Sequence, residues 1–319
     1  MRNALALSVL LCVLGCASGG AAMLPRPDRL LNLYDAFGKG VPGTTMDWGF
    51  ACLVDYRGKR ILFDSGMNAD LFARNVEALG VDLRTVDFAV GSHAHADHVS
   101  GFDHLLRVHP TVKIYLPADF ALGAPIALGV RGPVEGAEEA LPPEQRYFGG
   151  GPPSRRLPSS GRFWKADVEY VSGHREVAPG ITLVATDSPV LGTFSKYPPH
   201  AADPKLTGLP ELSLLLASEG GDVLVVGCSH SSVDRIVQAA REHARREIGL
   251  LMGGFHLLPY GPEEIERLVR KVRDEYGVRR VAPAHCTGHL GFKAFREAYG
   301  ERCHFAGLGS EVPFPGAGP

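Results

Sequence analysis

Between Ser92 and His98 the chain places three imidazoles and a carboxylate within six residues, in the pattern His93-x-His95-x-Asp97-His98. The cluster follows an apolar run, 86–91, that reads as a buried strand, so it falls where a strand gives way to a loop. In an extended or tightly looped segment alternate residues point the same way. His93 and His95 can therefore present nitrogens to one cation while Asp97 and His98 turn toward a second. Imidazole combined with carboxylate suits zinc, iron or manganese rather than calcium or magnesium, whose shells are built from oxygen. The expected cofactor is a pair of divalent metal ions, zinc before iron or manganese. The plain alternative is a solvated histidine-rich loop.

Further landmarks lie upstream, in Gly49-Phe50-Ala51-Cys52-Leu53-Val54 and in Ile61-Leu62-Phe63-Asp64-Ser65-Gly66. Downstream come Gly227-Cys228-Ser229-His230, Gly253-Gly254-Phe255-His256-Leu257 and Pro283-Ala284-His285-Cys286-Thr287-Gly288. With the histidine loop, these resemble the metallo-β-lactamase-fold superfamily over about Thr44 to Phe305. The last three together resemble one branch of metal-dependent hydrolases, the group that includes the dihydropterin–ribofuranosylaminobenzene phosphate synthases of methanopterin assembly. The resemblance implies an α/β protein, a four-layer αβ/βα sandwich with its metals at one edge between two sheets.

The resemblance also implies roles beyond the loop. Asp64 would brace the metal loop by hydrogen bonding, although as a residue of Asp64-Ser65-Gly66 it also reads as a turn residue. His285 matches the last metal histidine by order and by its place after the final long strand. His230 is proposed to complete the first metal. The strand end that often carries a bridging Asp carries Cys228 instead, a departure from the usual pattern; if Cys228 binds, its thiolate favours zinc. His256 ranks as a contact to substrate or to a ligand ahead of being a ligand itself. Thr287 and, more weakly, Ser229 and His289 are candidate polar contacts to substrate. Asp97 is the candidate catalytic residue, orienting the attacking hydroxide between two cations that acidify water and stabilise a developing oxyanion.

The elements that must position these groups are legible in outline. Strands are expected at 30–34, 50–54 and 60–63, the last two joined by the turn Tyr56-Arg57-Gly58-Lys59. Helical spacing runs over 68–79, with Gly80 placed to stop it, and over 101–107, with a strand at 112–116. Strands follow at 168–171 and 181–185. The second sheet is expected to start with a hairpin of 211–218 and 222–226, followed by an amphipathic helix over 232–243. A strand at 248–252, a helix at 262–272 and a strand at 278–283 complete the pattern. Three successive strands thus end in a histidine. Between about 118 and 160 the Pro/Gly-rich composition cannot form one regular element, and reads as either a mobile insertion or a substrate lid. Within it, Arg155 and Arg156 suit an anionic substrate group or a solvated basic pair.

The first 15 residues read as a signal peptide: Arg2, then an apolar run from Ala4 to Leu14 too short to span a bilayer. Val13-Leu14-Gly15-Cys16 resembles a bacterial lipobox, in which Cys16 is lipidated and residues 16–29 form a tether to the domain at 30–319. Ordinary cleavage near Ala17 or Ala21 is the alternative. The expected location is the bacterial cell envelope, in the periplasm. The net charge of −2, or −3 once Arg2 leaves with the signal, gives no electrostatic footprint for nucleic acid. The expected partner is therefore a small-molecule substrate, with a lipid anchor to the membrane. Cys228 and Cys286 lie within two residues of candidate ligands and are expected to be reduced or metal-associated.

The leading expectation is an exported metal-dependent hydrolase of an ester-type bond, namely a phosphodiester, phosphate ester or lactone. A pterin-linked synthase-like enzyme follows the resemblance most narrowly, and export argues against it because its substrates would be cytosolic. A non-catalytic metal- or ligand-binding envelope lipoprotein is the third reading.

Overall fold

The computed structural model describes residues 27–118, 163, 166–187, 194–195, 206–207 and 209–316. The leader and Cys16, most of the tether, and the Pro/Gly-rich insertion beyond Ala118 lie outside the described residues. Among the described residues no helix is long and apolar enough to cross a membrane.

The strands sort their side chains with period two, and that sorting builds the layers. In β2 (Ala51–Tyr56), Cys52, Val54 and Tyr56 join one apolar cluster while Ala51 and Leu53 join another. β12 (Asp222–Val226) does the same, with Val223 and Val225 in the first cluster and Leu224 and Val226 in a third. The first cluster lies between the two sheets; the others lie between each sheet and its helices. Both faces of these strands are covered, which explains their near-continuous apolar sequences.

The first sheet has the order β15 (Glu311–Pro313), β1 (Arg29–Tyr34), β2, β3 (Lys59–Phe63), β4 (Phe88–Val90), β5 (Lys113–Pro117) and β6 (Asp167–Val171). The second has the order β14 (Arg280–Ala284), β13 (Ile248–Gly254), β12, β11 (Glu211–Leu216), β8 (Ile181–Thr186) and β7 (Arg175–Ala178). A short antiparallel pair, β9 (Phe194–Ser195) and β10 (Leu206–Thr207), stands apart. The second sheet therefore begins at β7, earlier than the expected start at Glu211. β8 pairs antiparallel with β11 from Glu211↔Thr186 to Leu216↔Ile181 and turns Leu183 into the inter-sheet core.

Against the first sheet pack α1 (Ala69–Ala78), through Leu71, Phe72 and Val76, and α3 (Phe102–Val108), through Phe102 and Leu105. Asn68 caps α1, its side chain accepting from the amides of Asp70 and Leu71. Against the second pack α4 (Val233–Ala244), α5 (Pro262–Arg270) and α6 (Gly288–Tyr299). The expected helix over 262–272 is α-helical only to Arg270; a wider turn over Lys271–Glu275 carries Val272 into the core. The result is a four-layer αβ/βα sandwich.

One polar contact inside the first sheet ties β1, β2 and β3 together. Asp55 on β2 accepts from Arg60 at 2.7 and 3.0 Å and from Arg29 at 3.0 Å, and both Asp55 and Arg60 are buried. Burial raises the Asp55 pKa, but the two guanidinium groups outweigh it and hold the carboxyl below its usual range. A lowered carboxyl pKa contributes stability above the unfolded value near pH ~4 and loses it as pH falls through the native value. Asp55→Ala is expected to cost on the order of 3–5 kcal/mol in denaturant unfolding, because it leaves Arg60 buried without its bidentate partner. The variant should also show a shallower loss of stability below pH ~4. Wild-type stability in the variant would refute this role.

Candidate metal centre

Parallel strands carry the candidate ligands. β3, β4 and β5 run parallel in the first sheet, and β12, β13 and β14 run parallel in the second. Their C-terminal ends therefore open at common edges, where loops can converge. β3 leads into Asp64, β4 into 91–98, β12 into Cys228 and His230, β13 into His256 and β14 into His285. The amide of Leu212 donates to Ser92 O at 2.8 Å and joins the two edges. Gly227 is required here: a Cβ on it would lie 2.1 Å from Ser92 Oγ.

Two donor sets result. His93, His95 and His230 form one, and Asp97, His98, Cys228 and His285 form the other; within each set the potential ligand atoms lie within 4.8 Å of one another. His93 Nε2 stands 3.1 Å from His95 Nδ1, His98 Nε2 stands 3.1 Å from Cys228 Sγ, and His285 Nε2 stands 3.3 Å from Asp97 Oδ2. Two zinc bonds of about 2.0–2.3 Å at a tetrahedral angle place their donor atoms about 3.3–3.8 Å apart. The spacing is close to that of ligands around a shared ion. Both ring nitrogens of His285 are buried without a directed hydrogen bond among the described residues, which is costly unless something else satisfies them. The donor chemistry and spacing fit divalent metal.

Asp64 holds the loop. Fully buried, it accepts from Ser92 N at 2.7 Å and Ser92 Oγ at 2.8 Å, and its Oδ2 meets His98 Nδ1 at 2.6 Å. That contact leaves His98 Nε2 facing Cys228 and fixes which nitrogen is offered as a ligand. Ser92 Oγ also meets His93 Nδ1 at 2.8 Å. Three further groups had no recognisable signal in the sequence. Asp35, just after β1, accepts from the His285 amide at 3.1 Å and from Asn32 at 3.0 Å; Glu211 accepts from the Ser231 amide at 2.7 Å. Burial pushes each carboxyl up to about 7. The Trp48 ring covers His285, with ring centroids 4.8 Å apart.

The remaining candidates separate. His256 lies against His230, with ring centroids 4.3 Å apart and planes tilted by 47°, and shares a donor group with Cys228 and Cys286. Thr287 is buried and braces the strand ends, donating to Ala284 O at 2.7 Å and accepting from Phe255 N at 3.1 Å, so its hydroxyl is directed into the fold rather than toward substrate. Ser229 Oγ similarly donates to Gly254 O. His289 lines a cavity of about 640 Å³ with Phe37, Trp48, Phe292 and Arg296, and one wall of that cavity is His285. Cys52, Cys228, Cys286 and Cys303 are free thiols.

The two sets differ in their protons. Burial and neighbouring histidines hold His93 well below its usual value and bring His230 down to about 2. Burial also lowers His95. In contrast, burial opposes protonation of His98, but Asp64 and Asp97 outweigh it and raise the ring to about 9; burial keeps the Cys228 thiol well above its usual value. A ligand must shed its proton to bind. Near pH 7–8, filling the second set is therefore expected to release protons, at least one from His98, while filling the first releases none. Affinity at the second position should rise with pH through the neutral range and keep rising past 9, because His98 is only half deprotonated there and the Cys228 thiol loses its proton higher still. Calorimetry in buffers of different ionisation enthalpy measures this, and proton-neutral binding of both ions would contradict it.

Residues 49–195 match the family model of the metallo-beta-lactamase superfamily. The chain is 24% identical over 261 residues to the 7,8-dihydropterin-6-methyl-4-(beta-D-ribofuranosyl)-aminobenzene-5'-phosphate synthase of Methanocaldococcus jannaschii, covering 76% of this chain and 80% of that protein. It is also 24% identical over 261 residues to an uncharacterized protein of the same organism, covering 77% and 85%. In structure it is similar to a metal-dependent hydrolase of the beta-lactamase superfamily, with a TM-score of 0.63 at 21% identity, covering 90% of this chain and 99% of that one. That likeness is one of fold.

Proposed function

We propose that this chain, which carries the domain and the fold of the metallo-beta-lactamase superfamily, is a metal-dependent hydrolase of an ester-type bond, with phosphodiesters, phosphate esters and lactones as the substrate classes. The observation that carries the proposal is the pair of donor sets at adjoining strand ends, three histidines in one and Asp97, His98, Cys228 and His285 in the other. Bound there, divalent cations supply Lewis acidity toward an ester-type oxygen and bring the pKa of water toward neutrality.

The chain's own groups prepare that chemistry. Asp64 directs the Nε2 of His98 inward, and Ser92 aligns His93. Asp97 stands 3.3 Å from His285 and 3.7 Å from His98; burial raises its carboxyl pKa, but these rings outweigh burial and keep it ionised. As a carboxylate it orients an attacking water by accepting its hydrogen bond. Trp48 excludes water from one face of His285, and the cavity beyond it, bounded by Phe37, Phe292 and Arg296, offers space for the unreacting part of a substrate.

A pterin-linked synthase-like activity is the second reading, and the alignment over 261 residues with the dihydropterin synthase favours it. The leader expected at 1–15, with Cys16 as its lipid-bearing end, favours the exported hydrolase of the cell envelope instead, because pterin substrates would be cytosolic.

Asp97→Ala is expected to lower kcat/KM toward an activated phosphodiester or lactone by about 10²-fold or more while the circular dichroism spectrum stays that of a folded protein. Unchanged turnover would end the mechanism. Asp64→Ala should weaken metal binding about 10–100-fold through the freed His98 ring, read as a higher free-zinc concentration at half-occupancy. No turnover on either substrate class by fully metal-loaded wild-type protein would favour the binding-protein reading.

A further inference from the structure

A further donor cluster overlaps the second set at Cys228 and extends beyond it. Cys228 Sγ, Cys286 Sγ and a ring nitrogen of His256 lie within 4.8 Å of one another, one from each of three adjacent parallel strand ends. The two sulfurs are 3.4 Å apart, with the Cys286 thiol donating to Cys228 Sγ while both are protonated. A disulfide would bring them to about 2.05 Å, whereas two zinc–sulfur bonds of about 2.3 Å at a tetrahedral angle would hold them about 3.7 Å apart. The observed separation is far closer to the second arrangement. Both thiols are buried, and the Nδ1 of His256 is buried without a hydrogen-bond partner among the described residues.

The backbone is shaped for this approach. His256 has φ +47°, a left-handed conformation that a side chain with a Cβ adopts only when its surroundings enforce it. Two residues earlier, a Cβ on Gly254 would lie 2.5 Å from Gly227 O and 2.8 Å from Cys286 Sγ, so glycine there admits both the neighbouring strand and the sulfur. Two thiolates and a neutral imidazole balance the charge of a divalent thiophilic ion and leave a fourth position open.

We infer that Cys228, Cys286 and His256 form a third, sulfur-rich cation position for a thiophilic ion of the zinc class, which shares the Cys228 sulfur with the set formed by Asp97, His98 and His285. The shared sulfur links the third ion to the second, so that occupancy of one alters binding at the other. The inference requires the first two sets to bind metal but does not depend on which reaction they carry out.

The test uses the full chain purified without chelator. Elemental mass spectrometry after zinc saturation should give about three ions per wild-type chain and about two for both Cys286→Ser and His256→Gln. Cobalt substitution should show thiolate-to-metal charge-transfer absorption that falls by about two-thirds in Cys286→Ser, since of three sulfur–metal bonds only the one from Cys228 to the second ion remains. Cadmium NMR of the wild type needs no substitution and guards against a variant that fails to fold: three resonances are expected, one of them in the two-sulfur range. Two resonances, unchanged stoichiometry in both variants, or a Cys228–Cys286 disulfide in the zinc-loaded protein would overturn the inference. Two ions with ester hydrolysis would leave the proposed function standing; three ions without hydrolysis would do the reverse.

Discussion

Asp64 is a carboxylate with no contact to water, surrounded by donors from a loop that begins 28 residues later. It accepts from Ser92 N, from Ser92 Oγ and from His98 Nδ1, all between 2.6 and 2.8 Å. A buried carboxylate is tolerable only when its acceptor positions are filled, so the loop is folded around Asp64 as much as Asp64 is held by the loop. Through this group β3 sets the position of the loop that follows β4, and with it the direction of His93 and His98. Ser92 extends the constraint across the molecule, because its carbonyl accepts from Leu212 at the start of β11.

The second sheet contributes through register. β12, β13 and β14 are parallel and paired so that Val226, Gly253 and Pro283 stand side by side. Parallel strands of matched length end at a common level, and residues distant in the chain are brought together at that edge. Left-handed backbone at Ser229, His256 and His285 then turns the chain sharply at three of these exits. Such conformations cost energy in residues with side chains, and their concentration here marks a place where geometry was favoured over ease of folding. Burial of several carboxylates and imidazoles at one edge adds a second cost. Asp35 and Glu211 are both pushed up to about 7 by that burial.

The layers were largely legible in the amino-acid pattern because alternation and helical spacing are local properties. Cys52, Val54 and Tyr56 alternate with Ala51 and Leu53 whatever the rest of the chain does. The sheet boundary was misplaced because β7 and β8 carry no label of membership: an antiparallel partner, β11, decides which sheet they join. The histidine loop was legible for the same reason as the strands, with its successive donors one or two residues apart. Thr287 read as a group available to substrate, yet its hydroxyl is occupied between Ala284 and Phe255, a pairing that sequence position does not display.

By itself the sequence determined that His93, His95, Asp97 and His98 form a compact donor group after a strand, that three later strands end near histidines, and that the chain has enough apolar alternation for two covered sheets. Only the tertiary structure decided which histidine stands with which. His230 joins His93 and His95, Cys228 joins Asp97 and His98, Trp48 covers His285, and Cys286 comes within 3.4 Å of Cys228. The physical reason is one of range. Donors within a loop are related by the geometry of a few peptide units, whereas donors on different strands are related by strand register, sheet order and the packing of one sheet on the other, quantities to which the whole core contributes.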